Sequence, residues 1–155
     1  MAIAMVQLIH SRALPVQVPH LNLFYPVTDT NEKSETYKIY KEGPYLSEHT
    51  MDWMIDAFLP NKEDRQNALT SPLKYASDEV LSKFPPTTVF LSAADPLIGE
   101  GEAFGRRLQK AGVETAIIKA EGQIHDYVML EPIRTTATAK AVVELAALHL
   151  RKALA

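Results

Sequence analysis

The chain has 155 residues, 46% of them hydrophobic and 23% charged, a composition that suits one folded core with at most a small appendage. The net charge is −3 and the basic residues are scattered, which excludes the cationic footprint of a nucleic-acid binder, and the lack of cysteine excludes disulfides, thiolate metal sites and a cysteine nucleophile. No stretch approaches the roughly 18 to 20 apolar residues of a membrane span and no cleavable leader pattern opens the chain, so a soluble protein is expected, its compartment open but the cytoplasm favoured.

Met1 to Arg12 carries Met1, Met5, Leu8 and Ile9 at helical spacing, with Ala2, Ile3, Ala4 and Val6 filling most other positions. Such a helix is apolar nearly all round and belongs inside a protein, covered on several sides. Beyond Pro15 and Pro19, the run Leu21 to Val27 predicts a short buried strand closed by Pro26 and the turn residues Asp29, Thr30 and Asn31. The stretch 34–67 is rich in Tyr, Lys and Glu and interrupts the rhythm, with Met51, Met54, Ile55 and Phe58 at helical spacing. It predicts either a helical lid or a surface excursion that packs its own stripe.

Ser71-Pro72-Leu73 restarts the core. Thr87 to Ala93, β-branched and aromatic and introduced by Pro85-Pro86, predicts a second strand, and Glu114 to Ala120 a third. Between them, Leu97 to Lys110 predicts a helix with Phe104, Leu108 and Ala111 on one face and Gly112 past its end. Thr135 to Leu154 predicts a long helix with Ala139, Val142, Val143, Ala146 and Leu150 toward the core. Strands alternating with helices predict parallel strands in an α/β sheet.

Asp95 ends the second predicted strand, and His125 follows the third in a loop opened by Gly122. Parallel strands would place both at the carboxyl edge of the sheet, where open α/β folds put their sites. A carboxylate that accepts the Nδ1 proton of a histidine fixes its tautomer and leaves Nε2 free to take a proton from a nucleophile. Plainer readings stand beside this one: Asp95 before Pro96 is a good helix cap, and His125 a surface loop residue. Glu100 and Glu102 suit the first turns of the following helix by charge alone. Tyr37, Tyr40 and Tyr45 read as packing. His10, His20, His49 and His149 have no ligand spacing around them, so no metal is expected. None of the seven serines, Ser11, Ser34, Ser47, Ser71, Ser77, Ser82 and Ser92, lies in a Gly-x-Ser-x-Gly turn, and no glycine-rich loop offers oxyanion amides.

Taken together, Leu23 to Asp29, Ser71-Pro72-Leu73, Phe84 to Thr87, Asp95-Pro96-Leu97 with Glu100-Gly101-Glu102, Leu108 before Ala111-Gly112-Val113, and Gly122 to Tyr127 resemble the carboxyl-terminal half of an α/β-hydrolase of the hormone-sensitive-lipase-like esterase branch. The resemblance implies parallel strands with flanking helices and a partial helical cap, dividing as core 1–30, cap 31–67 and core 68–155. It implies Asp95 as the acid and His125 as the base of a Ser-His-Asp triad, and Leu46, Met51, Met54, Ile55 and Phe58 as residues lining a substrate pocket. In that family the histidine is usually followed by Gly-Phe; here Asp126-Tyr127 follows, which keeps an aromatic and adds a carboxylate.

The family's nucleophile sits in a Gly-Asp-Ser-Ala-Gly-Gly-like elbow directly before an apolar helix, and this chain begins inside such a helix. The expectation is therefore a carboxylesterase or lipase-like hydrolase of short-to-medium acyl esters whose serine lies upstream. The resemblance implies no cofactor. The chain alone would be inactive, and its partners would be a small apolar ester, the amino-terminal half of the same hydrolase, or a second copy in a homodimer. A short binding or interaction module built on the same fold is the alternative.

Overall fold

A computed structural model describes residues 1–155. Three parallel strands, β1 (Leu21–Phe24), β2 (Thr87–Ala94) and β3 (Thr115–Ile124), form one sheet in the order β1-β2-β3. Helix α1 (Ala2–Ser11) precedes β1. Between β1 and β2 come α2 (Thr36–Ile39), α3 (Glu48–Phe58), a 3-10 turn (Lys62–Arg65), α4 (Pro72–Tyr75) and α5 (Asp78–Leu81). Helix α6 (Ile98–Lys110) connects β2 to β3, and α7 (Ala137–Leu154) closes the chain. No helix is long and apolar enough to cross a membrane.

β2 is buried on both faces, as its run of Val, Phe and Leu requires of a central parallel strand. Val89 and Leu91 face one core with Ile3, Val6, Leu23, Phe84, Phe104 and Leu108, so α1 and α6 cover that side. Phe90 faces the other core with Tyr127, Ala139, Val142 and Ala146, under α7. Helix α6 lies close because Gly101 and Gly105 carry no side chain: a Cβ on Gly101 would stand 2.6 Å from Leu91 Cδ2. A third cluster, Tyr37, Leu46, Met51, Ile55 and Leu97, ties α2 and α3 to the start of α6.

Four features depart from the sequence expectations. β1 stops at Phe24, because Tyr25 turns to φ +35. On α7, Val143 and Leu150 are exposed while Ala139, Val142 and Ala146 are buried, because the residues that meet the sheet recur every three to four positions from Ala139. On α1, Met1 and Met5 are exposed and Ile3 and Val6 face the core, with Gln7 donating to the Ala68 carbonyl at 2.8 Å. Finally, β3 runs to Ile124, with Gly122 inside it at φ +70 rather than opening a loop.

Candidate active site

The extension of β3 positions the site. Ser92 of β2 pairs with Ala120, but Ala94 pairs with Ile124, so β3 holds two more residues than β2 across this interval. A bulge of this kind re-aims the side chains beyond it. The left-handed backbone of Gly122, which a glycine adopts without steric cost, accommodates it. The next residue on each strand is then Asp95 and His125, side by side at the carboxyl edge of the sheet.

His125 Nδ1 lies 2.8 Å from Asp95 Oδ2. Asp95 is fully buried, and its other oxygen, Oδ1, accepts the backbone N–H of Leu97 at 2.9 Å. A buried carboxylate that accepts at both oxygens is held in one orientation. Asp95 is not the cap of α6, whose cap position is Leu97; its Oδ1 closes a local turn onto the Leu97 N–H just before the helix, leaving Oδ2 for His125. With the carboxylate as acceptor, Nδ1 carries the proton and Nε2 is the basic nitrogen.

Nε2 makes no hydrogen bond to any residue of the chain; its nearest charged neighbour is Asp126 Oδ1 at 3.6 Å. Asp126 sits at φ +61, the left-handed region where glycine is favoured and aspartate tolerated, and Tyr45 Oη donates to its Oδ2 at 3.4 Å. Tyr25, which the sequence pattern places in a strand, packs against the imidazole with ring centroids 4.6 Å apart and ring planes tilted by 58°. Burial and then the nearby Asp126 carboxylate push the Tyr25 phenol above its usual range, so it remains a neutral wall of the site. Its signal was local: Tyr25 directly follows β1 and precedes Pro26, and a pre-proline residue normally stays extended, so its φ of +35 is a strained conformation beside the candidate histidine. Burial likewise pushes the Tyr127 phenol up to about 12.

The remaining candidates separate into two groups. Met51, Met54, Ile55 and Phe58 of α3 line one side of an apolar cleft of about 430 Å³, faced by Met1, by Ile3 and Ala4 of α1 and by Val27. Leu46 does not line that cleft; it is buried beside Tyr37 and Leu97. The cleft contains neither Asp95 nor His125, although Val27 is two residues beyond Tyr25. Ser92 is buried inside β2 with its hydroxyl unpartnered, and no serine of the chain hydrogen-bonds His125.

His20 and His149 meet at the opposite edge of the sheet, where both ring systems bond the Thr88 hydroxyl at 3.1 and 3.0 Å. Burial and the neighbouring His149 hold His20 below its usual pKa. No group of three or more His, Asp or Glu side chains is arranged to hold a metal ion.

Comparison with known proteins adds three kinds of likeness. A family profile described as alpha/beta hydrolase fold matches residues 1–129. An esterase of Gibberella moniliformis is 55% identical over 152 residues, 98% of this chain and 48% of that protein. Among solved structures, carboxyl esterase 2 of the mycorrhizal fungus Tuber melanosporum superposes with a TM-score of 0.92 at 36% identity, over 97% of this chain and 48% of that one. Brefeldin A esterase, a bacterial homologue of human hormone sensitive lipase, shares the fold with a TM-score of 0.83 at 24% identity, over 98% of this chain and 44% of that one. The chain thus spans about half the length of the relatives it matches.

Proposed function

The chain belongs to the alpha/beta hydrolase family, and from that membership we propose that it carries the acid and base of a serine carboxylesterase of the hormone-sensitive-lipase-like type, acting on short-to-medium acyl esters. The observation that carries this reading is the 2.8 Å contact between His125 Nδ1 and the buried Asp95, with Nε2 left unbonded. The nucleophile is a serine in the part of the enzyme that precedes α1.

In this reading, Nε2 of His125 takes the serine proton as the oxygen attacks the ester carbonyl, and the Asp95 carboxylate stabilises the resulting imidazolium through Nδ1–H. Collapse of the tetrahedral intermediate breaks the bond to the leaving alcohol, which receives that proton from Nε2. Water then attacks the acyl-enzyme, giving a proton to Nε2; the bond from the acyl carbon to the serine oxygen breaks, that oxygen takes the proton back from Nε2, and the carboxylic acid leaves. No redox step and no cofactor enter the balance.

The apolar cleft between α1 and α3 supports an acyl site, because its lining supplies thioether, aliphatic and aromatic surface and no charge. Met51, Met54, Ile55 and Phe58 are its candidate walls from the cap. Leu46 contributes by holding α3 against α6 rather than by touching substrate. In the complete enzyme, His125→Ala is expected to lower kcat for a p-nitrophenyl acyl ester by roughly a thousandfold or more. Retention of most of the turnover by a folded variant would remove His125 from this role.

A further inference from the structure

Two backbone carbonyls bracket Asp95, and hydroxyls of the cap occupy both. Tyr40 Oη donates to the Ala93 carbonyl at 3.0 Å, and Thr36 Oγ1 donates to the Pro96 carbonyl at 2.6 Å. Thr36 Oγ1 also accepts the backbone N–H of Gly99 at 3.2 Å and lies 2.8 Å from Ser34 Oγ. A hydroxyl has one proton and two lone pairs; with its proton committed to Pro96, Thr36 accepts from both Gly99 and Ser34 and is saturated. Ala93 is where the β2–β3 ladder shifts register, so Tyr40 grips the strand at its irregular point. The approach is close enough that a Cβ on Gly99 would stand 2.9 Å from both Ser34 Oγ and Thr36 Oγ1.

Helix α2 has only four residues and would not persist alone, so its geometry is set by what it touches. Tyr37 is buried in the cluster with Leu97 and donates to Glu100 Oε2 at 3.3 Å. Residues 36, 37 and 40 together contact the chain at 93, 96, 97, 99 and 100, on both sides of Asp95. We propose that Thr36 and Tyr40 are positioning residues: the cap segment holds the loop that carries Asp95, and through it the His125 imidazole, so that the position of the cap and the alignment of the acid–base pair are mechanically one variable. This rests on the catalytic reading above for its effect on turnover, but the alignment itself is a property of the fold.

The test is made in the complete enzyme. Thr36→Val combined with Tyr40→Phe is expected to lower kcat roughly 10- to 100-fold while KM changes by less than about threefold, because the acid–base geometry loosens while Tyr37 still packs α2 against α3 and no residue lining the cleft is changed. Thr36→Ser, which keeps the hydroxyl, should retain kcat within about threefold of the wild type. In an Asp95→Asn background the double change should cost nothing further, since the group it positions is already disabled. The low-field proton resonance of His125 Nδ1–H should be present in the wild type and broadened or lost in the double variant. A folded double variant with wild-type kcat and an unaltered resonance overturns the proposal, as does an equal fractional loss in the Asp95→Asn background. If His125→Ala leaves turnover intact, the catalytic reading fails by itself, and the resonance still decides whether the cap aligns the pair.

Discussion

Glu100 is the residue whose surroundings differ most from what its position on a helix implied. Charge in the first turn of α6 accounts for an exposed glutamate, but Glu100 is fully buried: its Oε1 accepts the backbone N–H of Thr28 at 2.6 Å and of Asp29 at 3.3 Å. Burial pushes its carboxyl up to about 8, against the opposing pull of the Thr28 and Asp29 donors. In the unfolded chain the same group ionises near its ordinary value of about 4.3. Between those two values the folded chain holds a proton that the unfolded chain has lost, so this group's contribution to stability falls as pH rises through that window and is level above it. Glu100→Gln keeps an acceptor for Thr28 and does not ionise; its amide N–H replaces the Oε2 acceptor, so the bond to Tyr37 reverses, with the phenol oxygen accepting. The wild type should therefore lose more stability than the variant between about pH 5 and about pH 9, read as the shift in urea midpoint; parallel shifts in the two proteins would refute the buried-proton assignment.

At the same scale, the adjacency of Asp95 and His125 is legible, because each follows a strand-like run and parallel strands bring both to one sheet edge. The surroundings of Glu100 and Tyr25 are not, since burial of a helix glutamate and a left-handed tyrosine before proline arise from tertiary packing that no local pattern records. The contact between Asp126 and the far side of the imidazole was foreseeable only as a carboxylate next in sequence; its direction depends on the φ of +61.

Among the elements, the three strands, α1, α3, α6 and α7 stand where hydrophobic periodicity put them, to within a few residues. On α7, Val143 and Leu150 are misplaced toward the core because Ala, Val and Leu recur on more than one side of that helix, so the sheet decides which of them are covered. The bulge in β3 was missed for another reason. Gly122 reads as a loop opener, and only pairing with β2 shows two additional residues inside the strand. That bulge brings 125 level with 95. Gly122→Val should therefore cost about 1–2 kcal/mol for a left-handed β-branched residue, even though nothing lies within 4 Å of the added Cβ. In the complete enzyme, activity should fall further than the loss of folded protein explains. A variant of unchanged stability and activity would mean that the register does not depend on this backbone conformation.

For the whole molecule, the chain spans about half the length of relatives such as the Gibberella moniliformis esterase. β1 has a neighbour on one side only, and Met1, Met5, Trp53 and Phe58 present large apolar side chains to solvent. An edge strand with apolar surface beside it invites association. On the reading proposed above, Asp95 and His125 would supply two of the three groups that acyl transfer requires. The composition of the cap gave its helical stripe, but not that α2 reaches back to both sides of Asp95, because four residues of Thr, Tyr, Lys and Ile carry no periodic signal.

The most direct test of the central claim is to treat the native source with a fluorophosphonate that labels activated serines, and to recover polypeptides containing this sequence for intact mass and peptide mapping. The account predicts a species about twice the length of this chain, phosphonylated on one serine upstream of α1, with labelling abolished by His125→Ala. An unlabelled species of this chain's own length, with no serine-bearing partner bound to it, would contradict it.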